Sequence, residues 1–306
     1  MNYSIACIVV TYNRKEFLKE CLSHISNQTY KPQTVYIVDN ASTDGTIESV
    51  KKWGYYNCIF NNIDFKYILN TKNEGGAGGF YLGMKTAFES GKYDAIWVMD
   101  DDGIPDKNEL KQLIPFLHSY DYIAPIVLST ENHNICSFIP NTTYKSFCME
   151  ANASGFVPDF ASPFNGILYS SKLIRKIGYP KKEMFIWGDE TNYDIRARKI
   201  GAYPITVIKA IHYHPIDKQT YITLPNGKKI VDINIKWKMY CHIRNMVYNI
   251  RISSGIIVCL KKCVGIWLRY NTYFKIKPEL KDKILIIDAL ICGVLGNFNR
   301  LKKYRY

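Results

Sequence analysis

Residues 95–106 read AIWVMDDDGIPD, an apolar run that predicts a buried strand and is broken by three consecutive carboxylates, Asp100, Asp101 and Asp102. Adjacent carboxylates repel, so a strand that delivers all three into a cleft needs a counter-cation. The stretch predicts a divalent metal at the carboxyl end of a parallel strand, where open α/β sheets gather their ligands. A solvated acidic turn is the competing reading, because Asp, Gly and Pro all favour turns and Asp106 can cap a following helix.

Three earlier segments repeat the pattern. Residues 5–10 are a β-rich apolar run ending in Thr11, Tyr12, Asn13 and Arg14, after which Phe17, Leu18, Cys21, Leu22 and Ile25 recur at helical spacing. Residues 34–38 end at Asp39, before the turn-rich 40–45 and a helix over 46–53. Residues 65–69 lead into NEGGAGGF at 73–80, with a helix that begins at those glycines and runs over 80–89. Strand and helix alternating four times predict an α/β fold with a parallel sheet and helices on both faces. The strand ends would then bring Thr11, Asp39, Asn73 and Asp100 to Asp102 into one crevice, the position of a nucleotide site at a topological switch point. The glycine stretch matches neither GxGxxG nor the P-loop pattern and lacks a phosphate-reaching lysine; its glycines allow close backbone approach to a diphosphate or sugar.

Beyond Pro125 the chain is rich in Ser, Thr and Asn through Asn152, which predicts loops and short strands. A strand over 164–170 and a helix over 171–177 follow. Residues 185–197, FIWGDETNYDIRA, place Asp189 and Glu190 at the start of a helix, where carboxylates also serve as ordinary dipole partners. Residues 203–211 predict another strand, ending in His212-Tyr213-His214-Pro215; an i, i+2 pair on a strand puts both imidazoles on one face, available to a metal already held by carboxylates.

The net charge of +13 is unevenly placed. Residues 236–306 hold 15 Lys and Arg against Glu279, Asp282 and Asp288, a balance of +12, which leaves +1 for everything before them. A neutral body with a basic C-terminal region predicts an anionic partner for that region, a phospholipid surface or nucleic acid. The apolar run at 256–268 is split by Lys261 and Lys262, too short for the ~20 residues of a membrane span. Nine cysteines without CxxC pairs, and an N-terminus without signal-peptide features, predict a reduced cytoplasmic compartment.

In order along the chain, VVTYNR at 9–14, VDNASTDGT at 38–46, NEGGAGGF at 73–80, MDDD at 99–102, the GDE-containing helix at 188–197 and the histidines near His214 resemble the inverting nucleotide-sugar glycosyltransferases of family 2, which have the GT-A fold. The GGAGGF form and the triple aspartate look most like the galactofuranosyltransferase branch, with rhamnosyltransferases as near relatives. The resemblance implies a Rossmann-like, mostly parallel sheet over residues 1–235, with a nucleotide-sugar half at 1–128 and an acceptor-side half at 129–235, followed by a basic helical appendage at 236–306. It implies UDP-galactofuranose as donor, with Thr11 and Asp39 on the uridine, Asp100 near ribose or uracil, and Tyr12, Arg14, Asn73, Gly76, Gly79 and Asp101 also at the donor. Asp102, with Asp100 beside it, would bind Mn²⁺ or Mg²⁺, and His214 rather than His212 would complete the shell. The base falls on Glu190, where relatives often carry Asp, with Asp189 as the alternative; Trp187 would contact the acceptor.

The expected acceptor is a glycan or a polyprenyl-diphosphate-linked glycan of surface polysaccharide synthesis, with the enzyme held peripherally at the inner face of the plasma membrane by its basic tail and no nucleic acid as partner. Three alternatives remain: a rhamnosyltransferase using dTDP-rhamnose; a nucleotidyltransferase, for which the first strand lacks a basic triphosphate fingerprint; and a basic nucleic-acid-binding protein, motivated by the tail and its tyrosines.

Overall fold

The protein is described from a computed structural model covering residues 2–162, 164–216 and 220–305. It divides into two units, Met1–Pro180 with Arg196–Asp217, and Lys181–Ile195 with Lys218–Tyr306. The boundary expected between 235 and 236 falls inside the second unit.

The first unit is built on a ten-stranded sheet. Its centre is made of β1 (Ile5–Thr11), β2 (Thr34–Asp39) and β5 (Ala95–Asp100), with β4 (Ile63–Leu69) next to β2 and β3 (Cys58–Phe60) at the edge. Strands β4, β2, β1 and β5 run parallel. All of β1 and β2 is buried, which is why they read as unbroken apolar runs rather than alternating ones. Beyond β5 the sheet departs from a purely parallel one: β9 (Ile167–Ser170) is antiparallel to both β5 and β7 (Tyr122–Ser129), and β10 (Ile205–His214) pairs parallel with β7 and antiparallel with β6 (Ile104–Pro105) and β8 (Phe156–Pro158). The last strand reaches three residues further than expected, so both histidines belong to it.

Helix α1 (Lys15–Ser26) buries Leu18, Cys21, Leu22 and Ile25 against the sheet core, and α2 (Thr46–Trp53) occupies its expected range. Helix α3 (Gly75–Glu89) takes in the glycines themselves. A Cβ on Gly79 would meet Val10 Cγ1 at 2.4 Å, and one on Gly83 would meet Ile8 Cγ2 at 2.4 Å. Close seating of α3 on β1 offsets the poor helix propensity of glycine. The remaining helices of this unit are α4 (Glu109–Leu113), α5 (Tyr144–Cys148), capped by Thr143 and Ser146 within the Ser/Thr-rich stretch, and α6 (Ser171–Ile177).

The second unit is mainly helical. Helix α7 (Asp189–Lys199) starts in it, and the hairpin β11 (Tyr221–Thr223) with β12 (Lys229–Val231) precedes α8 (Lys236–Ser254), α9 (Ile256–Ile276), α10 (Lys283–Leu295) and α11 (Lys302–Arg305). Its core joins Tyr240, Ile243 and Val247 of α8 to Cys259, Ile266, Tyr270 and Tyr273 of α9 and to Leu285, Ile286 and Ala289 of α10. The set Ile257, Leu260, Val264 and Leu268, spaced for one helix face, is exposed on α9; the opposite stripe is the one that packs. No helix among the described residues is long and apolar enough to cross a membrane.

Candidate active site

Across the sheet centre Thr11 stands opposite Asp39, and Val10 opposite Asp100, so the three strand ends finish in register. Asp39 is buried; its Oδ1 accepts the Ser42 N–H at 2.8 Å, and its Oδ2 accepts the Tyr67 hydroxyl. Asn40, which sequence reading passed over, ties this end to the glycine loop: its Nδ2 donates to Gly75 O (2.8 Å) and Asn73 Oδ1 (3.2 Å), and its Oδ1 accepts from Glu74 N at 3.0 Å. Of the two glycines expected at the donor, Gly76 borders open space, whereas Gly79 is committed to packing on Val10. Tyr12 is exposed, and Arg14 lies over the Phe17 ring.

The three aspartates have different surroundings. Asp101 is buried, with Oδ2 accepting the Thr11 hydroxyl at 2.8 Å and Oδ1 lying 3.1 Å from Arg14 Nη1. Burial pushes its carboxyl up to about 7, with Arg14 and Thr11 opposing. At Asp102, Oδ2 accepts from Arg14 Nη2 at 2.6 Å and Oδ1 is 3.2 Å from His214 Nε2. Against burial, His214 and Arg14 hold Asp102 well below the usual carboxylate range. Enclosure and the charges of Asp102 and Asp101 push Asp100 up to about 8. Carboxylates crowded in this way keep a proton or take up a cation to relieve the repulsion.

The residues fit a divalent cation. Asp102 Oδ1 is buried and pairs with His214 Nε2 at 3.2 Å, which puts a carboxylate oxygen and an imidazole nitrogen side by side. The other ring nitrogen of His214, Nδ1, lies 2.7 Å from Pro215 O, a contact that suits an Nδ1–H donor and frees Nε2 as a ligand. Among the described residues no three His, Cys, Asp or Glu side chains form a metal cage. A pair of protein donors with further oxygens from a diphosphate is the usual sphere of Mg²⁺ bound with a phosphate substrate. His212 is engaged with other residues through its Nδ1: it is fully buried, its Nδ1 is 2.9 Å from Glu109 Oε2, and Glu109 Oε1 accepts from Trp97 Nε1 at 3.2 Å. Burial lowers His212 to about 3 and raises Glu109.

The second unit holds a cavity of about 670 Å³, lined by Trp187, Glu190, Lys238 and His242 on one part and by apolar side chains including Ile233 and Met246 on another. The turn leading to Glu190 carries positive φ at Phe185 (70°), Trp187 (59°) and Gly188 (90°). At a non-glycine residue such a backbone costs on the order of 1–3 kcal/mol, and it persists only where the surroundings hold it. Asn245 does so, its Nδ2 reaching Met184 O (3.0 Å), Ile186 O (2.9 Å) and Trp187 O (2.7 Å). Both oxygens of Glu190 lie 3.2 Å from the Gly188 N–H, which places the carboxylate at the cavity wall. Asp189 is buried, so of the two carboxylates Glu190 faces the cavity. Lys238 Nζ sits 6.0 Å from the Trp187 ring and His242 packs edge-on to it; neither Lys238, His242 nor Asn245 carries a motif that sequence reading could use.

Residues 6–156 match the family described as Glycosyl transferase family 2. The galactofuranosyltransferase GlfT1 of Mycobacterium tuberculosis is 30% identical over 285 residues, spanning 90% of this chain and 90% of that protein. GlfT1 of Mycolicibacterium smegmatis is 27% identical over 282 residues, 88% of this chain and 89% of that protein. Staphylococcus aureus TarS 1-349 in complex with UDP aligns with a TM-score of 0.53 at 17% identity, covering 81% of this chain and 65% of that one. The mannosyltransferase PcManGT from Pyrobaculum calidifontis, solved with GDP-Man and Mn²⁺, aligns with a TM-score of 0.57 at 14% identity, covering 97% of this chain and 88% of that one. These likenesses agree with the GT-A fold expected from the motifs.

Proposed function

The chain belongs to glycosyl transferase family 2, and from that premise we propose that it is an inverting, metal-dependent enzyme that transfers galactofuranose from UDP-galactofuranose to a lipid-linked glycan. The observation that carries the reading is the convergence of Asp102 Oδ1 and His214 Nε2, 3.2 Å apart, beside the in-register ends of β1, β2 and β5. Similarity to GlfT1 over nine-tenths of both chains supports the sugar. The family assignment supports an enzyme rather than the nucleic-acid-binding alternative.

In this reading Asp39, oriented by Ser42 and Tyr67, accepts from the nucleobase, and Thr11 and Asp101 fix the loop carrying Asp102. Asp102 and His214 would hold Mn²⁺ or Mg²⁺, with Asp100 beside them, and the bound ion would supply electrostatic stabilisation of the departing diphosphate. Glu190 takes the proton of the acceptor hydroxyl as its oxygen bonds to the anomeric carbon, while the bond to the diphosphate oxygen breaks with its electron pair and inverts that carbon. Trp187 offers a ring face to the acceptor sugar, and the apolar wall of the cavity suits a lipid carrier.

The membrane attachment we infer for residues 236–306 is supported by exposed apolar side chains on α9 and α10, among them Ile257, Leu260, Val264, Leu268, Ile284 and Leu295. Among the described residues Lys261, Lys262, Arg269 and Lys283 form no ion pair and are free for anionic headgroups. The whole reading is tested by a panel of UDP- and dTDP-sugars with Mn²⁺, scored for slow donor hydrolysis. Turnover of UDP-galactofuranose is expected; turnover confined to dTDP-rhamnose would replace the donor.

A further inference from the structure

Helix α8 lies wholly within the region whose charge marks it as a membrane appendage, yet its buried polar face is spent on the turn before Glu190. Asn245 and Asn249 are buried, at 1% and 5% exposure. Asn245 Nδ2 has two hydrogens and three carbonyls within reach, at Met184, Ile186 and Trp187, while its Oδ1 accepts from Arg244 Nε at 3.0 Å. Arg244 Nη2 adds a hydrogen bond to Met184 O at 2.9 Å. One turn along, Asn249 Nδ2 donates to Gly188 O at 2.7 Å, and Asn249 Oδ1 accepts from Asn192 Nδ2 at 3.1 Å. Asn249 therefore grips the chain two residues before and two residues after Glu190. A Cβ on Gly188 would come within 3.2 Å of Asn249 Nδ2 and 3.3 Å of Asn245 Cβ, so little room remains for the turn to relax toward α8.

A core asparagine that only satisfied polar groups would not need to be repeated on successive turns of one helix against one short, strained segment. Buried amides that donate to carbonyls of left-handed residues fix a backbone that nothing else in its sequence favours. We propose that Asn245 and Asn249 are positioning residues for Glu190, and that α8 is part of the catalytic apparatus. The proposal rests on the reading of Glu190 as the base. Its consequence is that loss of either amide lets the turn at 185–188 relax and moves the carboxylate, and displacements of about 1 Å at a reacting group can cost about 10²-fold in rate.

The test is a double-mutant cycle between Asn249→Ala and Glu190→Gln in the full chain, using turnover of whichever sugar of the UDP/dTDP panel wild type hydrolyses, with binding of UDP and Mn²⁺ as control. Asn249→Ala should lower kcat by about 10–100-fold with KM and UDP binding within about twofold, and should add little in the Glu190→Gln background. Full additivity of the two losses, or wild-type kcat in Asn249→Ala, overturns the positioning role. Wild-type kcat in Glu190→Gln would instead overturn the base assignment, a separate failure. Should Asn249→Ala not fold, Asn249→Gln against Asn249→Asp decides: the longer amide keeps a donor for Gly188 O and should retain more turnover than the carboxylate, and equal turnover in the two rejects the clamp.

Discussion

Asp102 bridges two cationic side chains: its Oδ1 pairs with His214 Nε2 at 3.2 Å, while its second oxygen is held by Arg14 at 2.6 Å. In the metal-dependent reading, this carboxylate and imidazole would share a bound cation in place of each other.

Removing either donor should therefore act on the metal before it acts on the fold. Asp102→Ala and His214→Ala are expected to abolish Mn²⁺-dependent enhancement of UDP binding in titration calorimetry, with melting temperature little changed. Asp101→Ala, which breaks contacts to Thr11 and Arg14, should be milder on metal and heavier on stability. Equal losses of metal response at Asp101 and Asp102 would return the triplet to an acidic turn.

Glu190→Gln keeps the shape of the side chain and the acceptor for the Gly188 N–H but removes the base. Turnover should fall by ~10²–10⁴-fold with nucleotide binding intact. Unchanged turnover by the purified variant would take Glu190 out of the mechanism.

Stability should carry a pH signature from Glu109. Its carboxyl, fully buried and raised above its ordinary 4.5 by burial, binds a proton more tightly folded than unfolded. The stabilisation this gives is complete below pH 4.5 and is lost as pH rises toward the folded-state value, by at most about 1.4 kcal/mol per pH unit. Glu109→Gln, a mimic of the protonated form able to meet both Trp97 and His212, should flatten that loss; urea unfolding between pH 5 and pH 9 reads it directly. Parallel curves for wild type and variant would show that Glu109 is not the titrating group.

Attachment to an anionic surface should need both charge and apolar contact. Lys261→Glu with Lys262→Glu is expected to weaken binding to vesicles containing 30% phosphatidylglycerol by more than tenfold at low salt, since each basic residue near such a surface contributes about 1 kcal/mol. Replacing Leu260, Val264 and Leu268 by Gln should remove the part of the binding that survives high salt. A wild-type protein that ignored these vesicles altogether would end the membrane reading.

The convergence of the strand ends was legible because the apolar runs are themselves the strongest signal in the chain: Thr11, Asp39 and Asp100 fall where those runs stop. At Gly79 the sequence alone does not distinguish close helix packing from ligand approach, and the neighbouring Val10 shows that the packing role is present. On α9, apolar residues occupy both faces, so spacing alone could not say that Cys259 and Ile266 pack while Leu260 and Val264 do not. Asn245 and Asn249 act on carbonyls some sixty positions away, and an asparagine in a helix leaves no periodic trace.

Arg14 also bears on which ion the site admits. With Oδ2 of Asp102 engaged by the guanidinium, that carboxylate would present chiefly Oδ1 to a cation, and chelation through both oxygens would compete with Arg14. Calcium, which takes six to eight oxygens and exploits bidentate carboxylates, gains little from such a ligand, whereas small octahedral ions that accept single oxygens and keep phosphate and water lose nothing. In the metal-dependent reading, an arginine in the first loop of the chain would thereby filter the ions offered to a carboxylate in the fourth parallel strand's loop, and ion preference would become a property of the pair.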